Sequence, residues 1–393
     1  MKTVQLGELC KFINGDRGKN YPSQSSFISD GIPFINAGDL EDKKVSIRSL
    51  NYISENDYDK LNSGKVELND ILFCLRGSLG KIGINANIQK GAIASSLVII
   101  RAGKQLDQLY LAHFLSSPIC KALIKKSDNG SSQPNLSATN LKKFQIPLPP
   151  LETQKKIAAI LDAADAYRQK TKTLIEKYDQ LAQSLFLDMF GDPFESKNKF
   201  NKVDFDFLTN RITYGFTCPM KHLDKGIHIL TAKNIQNGFI DYENVHYADI
   251  TEYEELTSKS KPDKNDILIT KDGTIGRTAL FEEDFSVCIN QSVTLVKPKH
   301  NLVNARYLVA YLTSDSVQSR IQNMGKGGGL KHLQITELAK FPTALPEIKI
   351  QNQFVERSQL IETQKQQAQA SLQKAEDLFN SLLQRAFKGE LVS

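Results

Sequence analysis

The sequence predicts a mixed α/β protein made of two tandem globular domains and two long helices. Three observations support this fold class. NDILFCLRGSLGKIGI at 69–84 recurs as NDILITKDGTIGRTAL at 265–280, 196 positions later. Short β-rich runs alternate with helical segments inside each copy of this repeat. Each copy also ends in about 36 residues that contain no glycine or proline.

The composition bounds the class of protein. The 393 residues are 40% hydrophobic and 24% charged, which is typical of a globular chain and long enough for two domains. No run of about 18 apolar residues predicts a membrane span, and the N-terminus lacks the apolar core of a secretory signal. The five cysteines are dispersed without a Cys-x-x-Cys pair, so we expect reduced thiols, no metal site and a cytoplasmic location.

The net charge of +6 is unevenly distributed along the chain. Residues 1–150 hold 19 basic and 13 acidic side chains, so the whole excess lies there. A basic domain is compatible with a polyanionic partner.

The repeat extends over most of the chain. GIPFINAGDL at 31–40 corresponds to GIHILTAKNI at 226–235, and LSATNLKKFQIPLPPLETQ at 136–154 corresponds to LQITELAKFPTALPEIKIQ at 333–351. The offset stays between 195 and 197, which indicates a tandem duplication. The predicted boundaries are a first domain at 1–150, a central helix at 151–190, a second domain at 191–350 and a C-terminal helix at 351–393.

Within each copy, strands precede a helical segment and a polar loop. ILFCL, LVII, ILIT and VTLV are bounded by Gly, Asn and Asp, as strands are. Helical spacing appears at 109–126 and 305–322. The loops that follow are SDNGSSQPN at 127–135 and GKGGGLKH at 325–332.

The two long helices carry apolar residues at alternating steps of three and four, the period of a coiled-coil seam. Each would be roughly 54 Å long. One interpretation packs each helix on its own domain. The favoured one pairs the helices antiparallel, with the two domains related by a pseudo-twofold axis. The predicted seam comprises Ile157, Ile160, Tyr167, Leu174, Tyr178, Leu181, Leu185, Phe354, Ile361, Leu378 and Leu382.

Motifs for catalysis are missing. No Gly-x4-Gly-Lys-Ser/Thr loop, Gly-x-Ser-x-Gly elbow or glycine-rich S-adenosylmethionine loop occurs. GDPF at 191–194 is more simply a helix stop than a methyltransferase motif. The sequence therefore favours a binding protein over a catalyst, with no catalytic or metal-ligating residues.

The loop after each NDIL strand combines glycines with a base and a hydroxyl. Backbone amides of such a turn can hold a phosphate together with the base. Simple hairpin turns with solvated side chains explain the pattern equally well, and both interpretations stay open. The candidate DNA-binding residues here are Arg76, Ser78, Lys81, Lys271, Thr274 and Arg277.

The polar loops are the second candidate surface. Gln and Asn pair with adenine in the major groove, and Arg or Lys with guanine. Polar loops are usually only solvated, but equivalent placement with different content favours sequence readout. The candidate residues are Ser132, Gln133, Asn135, Lys326, Lys331 and His332.

This layout resembles the specificity subunit of type I restriction–modification systems. The resemblance covers essentially the full chain, and it rests on NDIL-x3-R-G-S-x-G-K at 69–81, NGSSQPNLS at 129–137 and IPLPPLETQKKIAAIL at 146–161. The second copy departs from it, because TALPEIKIQNQF has one proline where the first copy has three. Ala94-Ser95-Ser96 also stands where the second copy has Asn290-Gln291-Ser292.

The resemblance implies a non-catalytic subunit with two target-recognition domains, each reading one half of a bipartite double-stranded DNA site. The helices would dock two methyltransferase subunits that bring S-adenosylmethionine. A restriction or translocase subunit would bring ATP and Mg²⁺ chemistry. No cofactor is expected in this chain itself.

Other functions compete with this expectation. The chain would otherwise be the specificity chain of a different split restriction–methyltransferase, or a duplicated coiled-coil scaffold that binds only proteins. An active methyltransferase is the weakest alternative, because the cofactor loop is missing.

Overall fold

The computed structural model describes residues 2–127, 135–195, 200–325 and 332–392. The chain divides into two compact units, Met1–Thr173 with Gln369–Ser393, and Leu174–Ala368. All five cysteines are free thiols. Among the described residues, no helix combines the length and apolarity needed to cross a bilayer.

The first unit contains eleven described strands and five described short helices. The strands are β1 (Thr3–Gln5), β2 (Cys10–Asn14), β3 (Ile32–Ile35), β4 (Leu40–Glu41), β5 (Lys43–Val45), β6 (Asn51–Ile53), β7 (Ile71–Cys74), β8 (Ile82–Ile84), β9 (Ala92–Ile93), β10 (Leu97–Ala102) and β11 (Gln145–Pro147). The helices are α1 (Leu6–Leu9), α2 (Glu55–Lys60), α3 (Gln108–Ser116), α4 (Pro118–Ser127) and α5 (Ala138–Lys142). The long helix α6 (Leu151–Phe190) follows them.

The central sheet of the first unit has the strand order β2-β10-β7-β8-β5-β4. It is antiparallel except between β5 and β8. A second sheet, β6-β3-β9, and the pair β1-β11 complete the unit. Every residue of β7 is buried, because the central sheet is covered on both faces.

The alternation of side chains along β7 explains this burial. Ile71 and Phe73 pack with Tyr110 and Phe114 of α3 on one face. Leu72 and Cys74 face the opposite way, towards Ile35 and Leu40. The run ILFC therefore contributes to two apolar cores at once.

The second unit repeats this arrangement. Its strands are β12 (Lys202–Asp204), β13 (Thr209–Tyr214), β14 (Ile227–Leu230), β15 (His246–Ala248), β16 (Ile267–Thr270), β17 (Thr278–Leu280), β18 (Val287–Ile289), β19 (Val293–Pro298) and β20 (Pro342–Ala344). Its helices are α7 (Ile250–Glu255), α8 (Ala305–Thr313), α9 (Asp315–Met324), α10 (Ile335–Ala339) and the long α11 (Ile348–Lys388).

The sheets of the second unit are β13-β19-β16-β17, β15-β14-β18 and β12-β20. These orders correspond strand for strand to β2-β10-β7-β8, β6-β3-β9 and β1-β11 of the first unit. The parallel pair β14-β18 likewise corresponds to β3-β9. The internal repeat and the mixed α/β class predicted from the sequence are confirmed.

The predicted helical segments at 109–126 and 305–322 are each divided into two helices. In the first unit the break lies at Ser117, which has extended backbone angles and precedes Pro118. A residue before proline is driven out of the helical region, and proline is well accommodated at the first helical position. The second unit breaks at Ser314, also extended, without a proline.

The two long helices begin and end close to the predicted positions. Helix α6 has 40 residues and α11 has 41. Gly191 and Gly389 follow them with φ of 68° and 83°. Glycine adopts this left-handed conformation without a Cβ clash, so it ends a helix readily.

Within each unit, segments of the two long helices run antiparallel. In the first unit Arg168 lies over the Phe379 ring at 4.7 Å, and Lys172 lies 3.7 Å from Glu376. Residue numbers therefore rise along one helix as they fall along the other. In the second unit, Asp179 pairs with Lys365 at 2.6 Å and Phe186 packs on Phe354.

The buried face of these helices differs in part from the predicted seam. Ile157 and Phe354 are buried, and Tyr178, Leu185, Ile361 and Leu382 are half-buried. Five other predicted seam residues are exposed: Ile160, Tyr167, Leu174, Leu181 and Leu378.

The physical reason is that α6 contacts its own domain as well as the partner helix. Ile157, Ala158 and Leu161 share one core with Tyr110 and Phe379. A helix face that packs against two neighbours is wider than a coiled-coil seam. The buried positions therefore lie one residue C-terminal to the exposed predicted ones, as Leu161 does to Ile160 and Phe379 to Leu378. Both packing modes considered from the sequence therefore occur together.

A buried glutamine joins each long helix to its domain. The side chain of Gln154 is fully buried, and its Nε2 donates to the carbonyls of Gln105 at 3.0 Å and Pro149 at 2.9 Å. Its Oε1 accepts from the backbone N–H of Asp107 at 2.8 Å. The glutamine therefore ties the start of α6 to the loop that precedes α3.

Gln351 makes the same set of bonds in the second unit. It donates to Leu302 at 3.3 Å and Pro346 at 2.8 Å, and it accepts from Asn304 at 2.8 Å. Nearby, Tyr307 donates its hydroxyl to Ala344, as Tyr110 does to Pro147 in the first unit. This joint is therefore a shared property of both copies.

The first unit has an additional polar joint. Lys43 pairs with Asp165 of α6 at 2.7 Å, and Asp165 also accepts from Arg168 at 2.6 Å. His113 of α3 is buried, with Nε2 2.7 Å from Asp162 and Nδ1 3.5 Å from Lys43. Burial lowers the pKa of His113. The nearby charge of Lys43 lowers this pKa further, whereas Asp162 raises it in part.

Replacing the buried glutamine should destabilise the protein. We expect Gln351→Ala to cost about 2 kcal/mol of unfolding free energy, because it removes the partner of one buried carbonyl and of a half-buried N–H and carbonyl. The matched control Gln353→Ala, at an exposed position two residues later, should change stability by less than about 0.5 kcal/mol. Denaturant unfolding of the whole chain measures both, and equal losses would contradict the role assigned to Gln351.

Stability should also depend on pH through His113. Its folded pKa lies below the unfolded value of about 6.5. The unfolded chain therefore binds more protons than the folded chain in this range. The contribution of His113 to the unfolding free energy should be fully present above about pH 6.5 and should be lost as the pH falls below it. Calorimetry between pH 5 and pH 8 should show a smaller loss for His113→Gln. The control His300→Gln, at an exposed position, should keep the wild-type dependence. An undiminished loss in His113→Gln would refute this account.

Candidate nucleic-acid interface

The turn after β7 is built on two left-handed glycines. Gly77 and Gly80 have φ of 76° and 82°. The N–H of Gly80 donates to the Cys74 carbonyl at 2.9 Å, and the N–H of Cys74 donates to Lys81 at 2.8 Å. A Cβ on Gly80 would lie 2.9 Å from Ile124, so close packing adds to the conformational need for glycine there.

The turn after β16 repeats this backbone. Gly273 and Gly276 have φ of 76° and 84°. Gly276 donates to Thr270 at 2.9 Å, and Thr270 donates to Arg277 at 2.9 Å. A Cβ on Gly276 would lie 2.6 Å from Ile321. The glycines are therefore part of one structural frame present in both domains.

Each turn lies beside the end of the polar loop predicted as a second candidate surface. In the first unit, Arg76 forms a backbone bridge with Asn135. In the second unit, Asp272 forms the equivalent bridge with His332. The two candidate surfaces of each domain are thus adjacent, although they are about 60 residues apart in the chain.

The structure describes eight of the twelve predicted DNA-binding residues. Arg76, Ser78, Asn135, Thr274 and His332 are exposed, and Lys81, Lys271 and Arg277 are half-buried. Ser132, Gln133, Lys326 and Lys331 lie outside the described residues. Which of these side chains contact DNA stays a prediction.

Two of the half-buried bases, Lys81 and Lys271, have neighbours inside their own domains. Burial raises the pKa of the Asp39 carboxyl, and the nearby ammonium of Lys81 acts in the opposite direction. Lys271 lies 5.1 Å from the centre of the Tyr214 ring and 3.8 Å from Asp272. Arg76 is thus the most exposed base of the two turns and the best placed to reach a ligand.

The repeat offset of 196 aligns Asp272 with Arg76, but Asp272 was not among the predicted DNA-binding residues. Sequence reasoning missed Tyr214. Tyr214 lies beneath Lys271, and neither periodicity nor a motif brings these two residues together. In the described part of the chain, no group of three or more His, Cys, Asp or Glu side chains is arranged to hold a metal ion.

Two copies of one loop frame with different exposed side chains, each joined to a long helix, define a class of duplicated binding proteins. The chain belongs to the type I restriction modification DNA specificity domain family, whose model matches residues 1–177 and 220–373. The match covers both copies of the repeat.

Curated relatives of the chain are named as specificity subunits. The EcoBI specificity subunit of Escherichia coli is 27% identical over 66% of this chain and 61% of its own length. The EcoKI specificity subunit of Escherichia coli K12 is 22% identical over 96% of this chain and 87% of its own. The putative MjaX specificity subunit of Methanocaldococcus jannaschii is 24% identical over 84% and 80%.

Solved structures share the fold over nearly the whole chain. A chain from a study of complex assembly and conformational transition of the type I R-M system has a TM-score of 0.64 at 16% identity, covering 99% of this chain and 98% of its own. The S subunit of M. genitalium has a TM-score of 0.59 at 15% identity, covering 98% and 96%. These matches support the predicted fold class.

Proposed function

We propose that this chain is the non-catalytic DNA specificity subunit of a type I restriction–modification system. Each domain would read one half of a bipartite double-stranded DNA site. The observation that carries the proposal is the family match over both copies, joined to a turn whose backbone is the same in both domains and whose exposed side chains differ. A turn whose backbone is the same in both domains and whose side chains differ is what we expect of two domains that read different bases.

The domain boundaries follow from this proposal. We assign target recognition to residues 1–150 and 191–350, with 151–190 and 351–393 as the two helical segments. The chemistry of methylation would come from two partner methyltransferase subunits that bind S-adenosylmethionine. Translocation and cleavage, where a restriction subunit joins, would use ATP and Mg²⁺ on that subunit. The working location would be the cytoplasm, where the cell's DNA is accessible.

The exposed apolar side chains of α6 suit a docking surface for the methyltransferase. Ile160 and Tyr167 are 39% and 57% exposed in the first unit. With the repeat offset of 197, their counterparts on α11 are Arg357 and Gln364. An apolar residue retained at an exposed position, where the sister helix is polar, favours contact with another protein over solvent.

The DNA-reading role of the first domain predicts a one-sided effect of Arg76. We expect Arg76→Ala to relax the methylated motif at one position in one half of the site, by about 1–3 kcal/mol of discrimination. Sequencing of methylated DNA from cells carrying the methyltransferase subunit measures this. The matched control is Lys104→Ala, which removes an exposed base elsewhere in the same unit.

Three outcomes decide the proposal. A bipartite methylated motif that requires this chain, with only one half relaxed by Arg76→Ala, supports it. Loss of sequence specificity in both halves of the motif would indicate that Arg76 has a structural role. A cell whose methylated motifs are the same with and without this chain would rule out the function itself and favour a protein-binding scaffold.

Docking on α6 predicts a separate phenotype. Tyr167→Glu should weaken co-elution with the methyltransferase subunit by at least about tenfold, because it places a charge in an apolar contact. Gln364→Glu, at the corresponding exposed position of α11, should leave co-elution unchanged. Normal co-elution of the Tyr167→Glu variant would show that the methyltransferase docks on a different surface.

A further inference from the structure

The two loops of each domain meet at one backbone bridge, and its position is the same in both domains. In the first unit, the N–H of Leu136 donates to the Leu75 carbonyl at 3.0 Å beside the Arg76–Asn135 bridge. In the second unit, the N–H of Leu333 donates to the Lys271 carbonyl at 2.8 Å beside the equivalent bridge. The bridged residues are related by offsets of 196 and 197, like the rest of the repeat.

A buried leucine fixes the bridge from below. Leu136 and Leu333 are each 1% exposed and belong to the main core of their unit. Because the next residue is anchored in this way, the bridged residue before it is held at the surface. Asn135 and His332 are both exposed. The fold thus presents one pair of side chains per domain from the same rigid position.

The side chains of each pair bond to one another but differ completely in chemistry. Arg76 donates through Nε to Oδ1 of Asn135 at 3.3 Å. This bond leaves the two terminal nitrogens of the guanidinium for another acceptor. In the second domain, Nδ1 of His332 bonds to Oδ1 of Asp272. This leaves the second carboxylate oxygen and Nε2 of the imidazole.

An acidic residue on a DNA-facing surface needs its charge compensated. Lys271 lies 3.8 Å from the second carboxylate oxygen of Asp272, and it is held over the Tyr214 ring. The positive charge of Lys271 offsets the repulsion between Asp272 and the phosphates. Asp272 can therefore face a base edge without making the surface acidic.

We propose that these two bridged pairs determine which base each domain accepts, an inference that rests on the proposed DNA-reading function. The paired donors of Arg76 match the O6 and N7 acceptors of guanine. The second carboxylate oxygen of Asp272, which the Lys271 ammonium approaches only to 3.8 Å, keeps acceptor capacity that matches the exocyclic amino group of cytosine. One structural position thus selects opposite members of a base pair in the two domains.

Exchanging the second pair for the first tests the inference. The double variant Asp272→Arg with His332→Asn places the residue types of the first domain on the frame of the second. Methylated-DNA sequencing in cells with the methyltransferase subunit should show one position of one half-site shifting by at least about tenfold, from cytosine to guanine, with the other half unchanged. The control Asp284→Arg with His300→Asn makes the same exchanges at exposed positions of the same unit and should keep the wild-type motif.

Each result has a defined meaning. A shift at one position of one half-site supports the inference. Active methylation with an unchanged motif overturns it while leaving the proposed function intact. Motifs that do not require this chain even in the wild type overturn the proposed function itself. If the double variant abolishes methylation, Asp272→Asn, which keeps size and the backbone bridge, must still relax the same position, and an unchanged motif there overturns the inference.

Discussion

The buried glutamine at the start of each long helix is the interaction on which the architecture depends. Its three bonds satisfy carbonyl and N–H groups that neither the helix nor the neighbouring loop can pair. Apolar packing of α6 on its domain holds the helix without fixing its angle as narrowly as directional hydrogen bonds do. Gln154 and Gln351 supply that constraint in both units with the same geometry. The direction of each long helix relative to the adjacent loop of its own unit is fixed by these bonds.

The two copies diverge outside this joint in an ordered manner. The left-handed glycines and the buried leucines beneath the loops are kept, because changing them costs conformational or packing energy. Side chains that the frame presents to solvent carry no such cost, and Arg76 has become Asp272 across the repeat. The cores therefore constrain the backbone of the loops and leave their exposed chemistry free to change. A duplicated protein can in this way acquire two specificities from one fold.

The sequence predicted what depends on local pattern and missed what depends on shared surfaces. Strands such as β7, the two long helices and the duplication follow from composition, period and offset. The break at Ser117 is readable from the Ser-Pro pair, but the one at Ser314 has no such signal. Tyr167 was assigned to the seam from its spacing, yet it is exposed. Spacing alone does not reveal that the helix packs on both a partner helix and its own domain. The repeat alignment places Asp272 opposite Arg76, but it does not reveal the contacts of Asp272 with Lys271 and His332.

The second joint, found in the first unit, shows how a shared scaffold becomes asymmetric. Lys43, Asp165 and Arg168 connect the first domain to its helix through a partly buried ion network. At the offset of 197, Arg168 corresponds to Lys365, which pairs with Asp179 of the other helix instead. Arg168 thus supports the pair between domain and helix through its neighbour Asp165, whereas Lys365 pairs directly with the other helix. Because ion pairs of this kind add directional constraint more than net stability, the difference acts on how rigidly each domain is held to its helix.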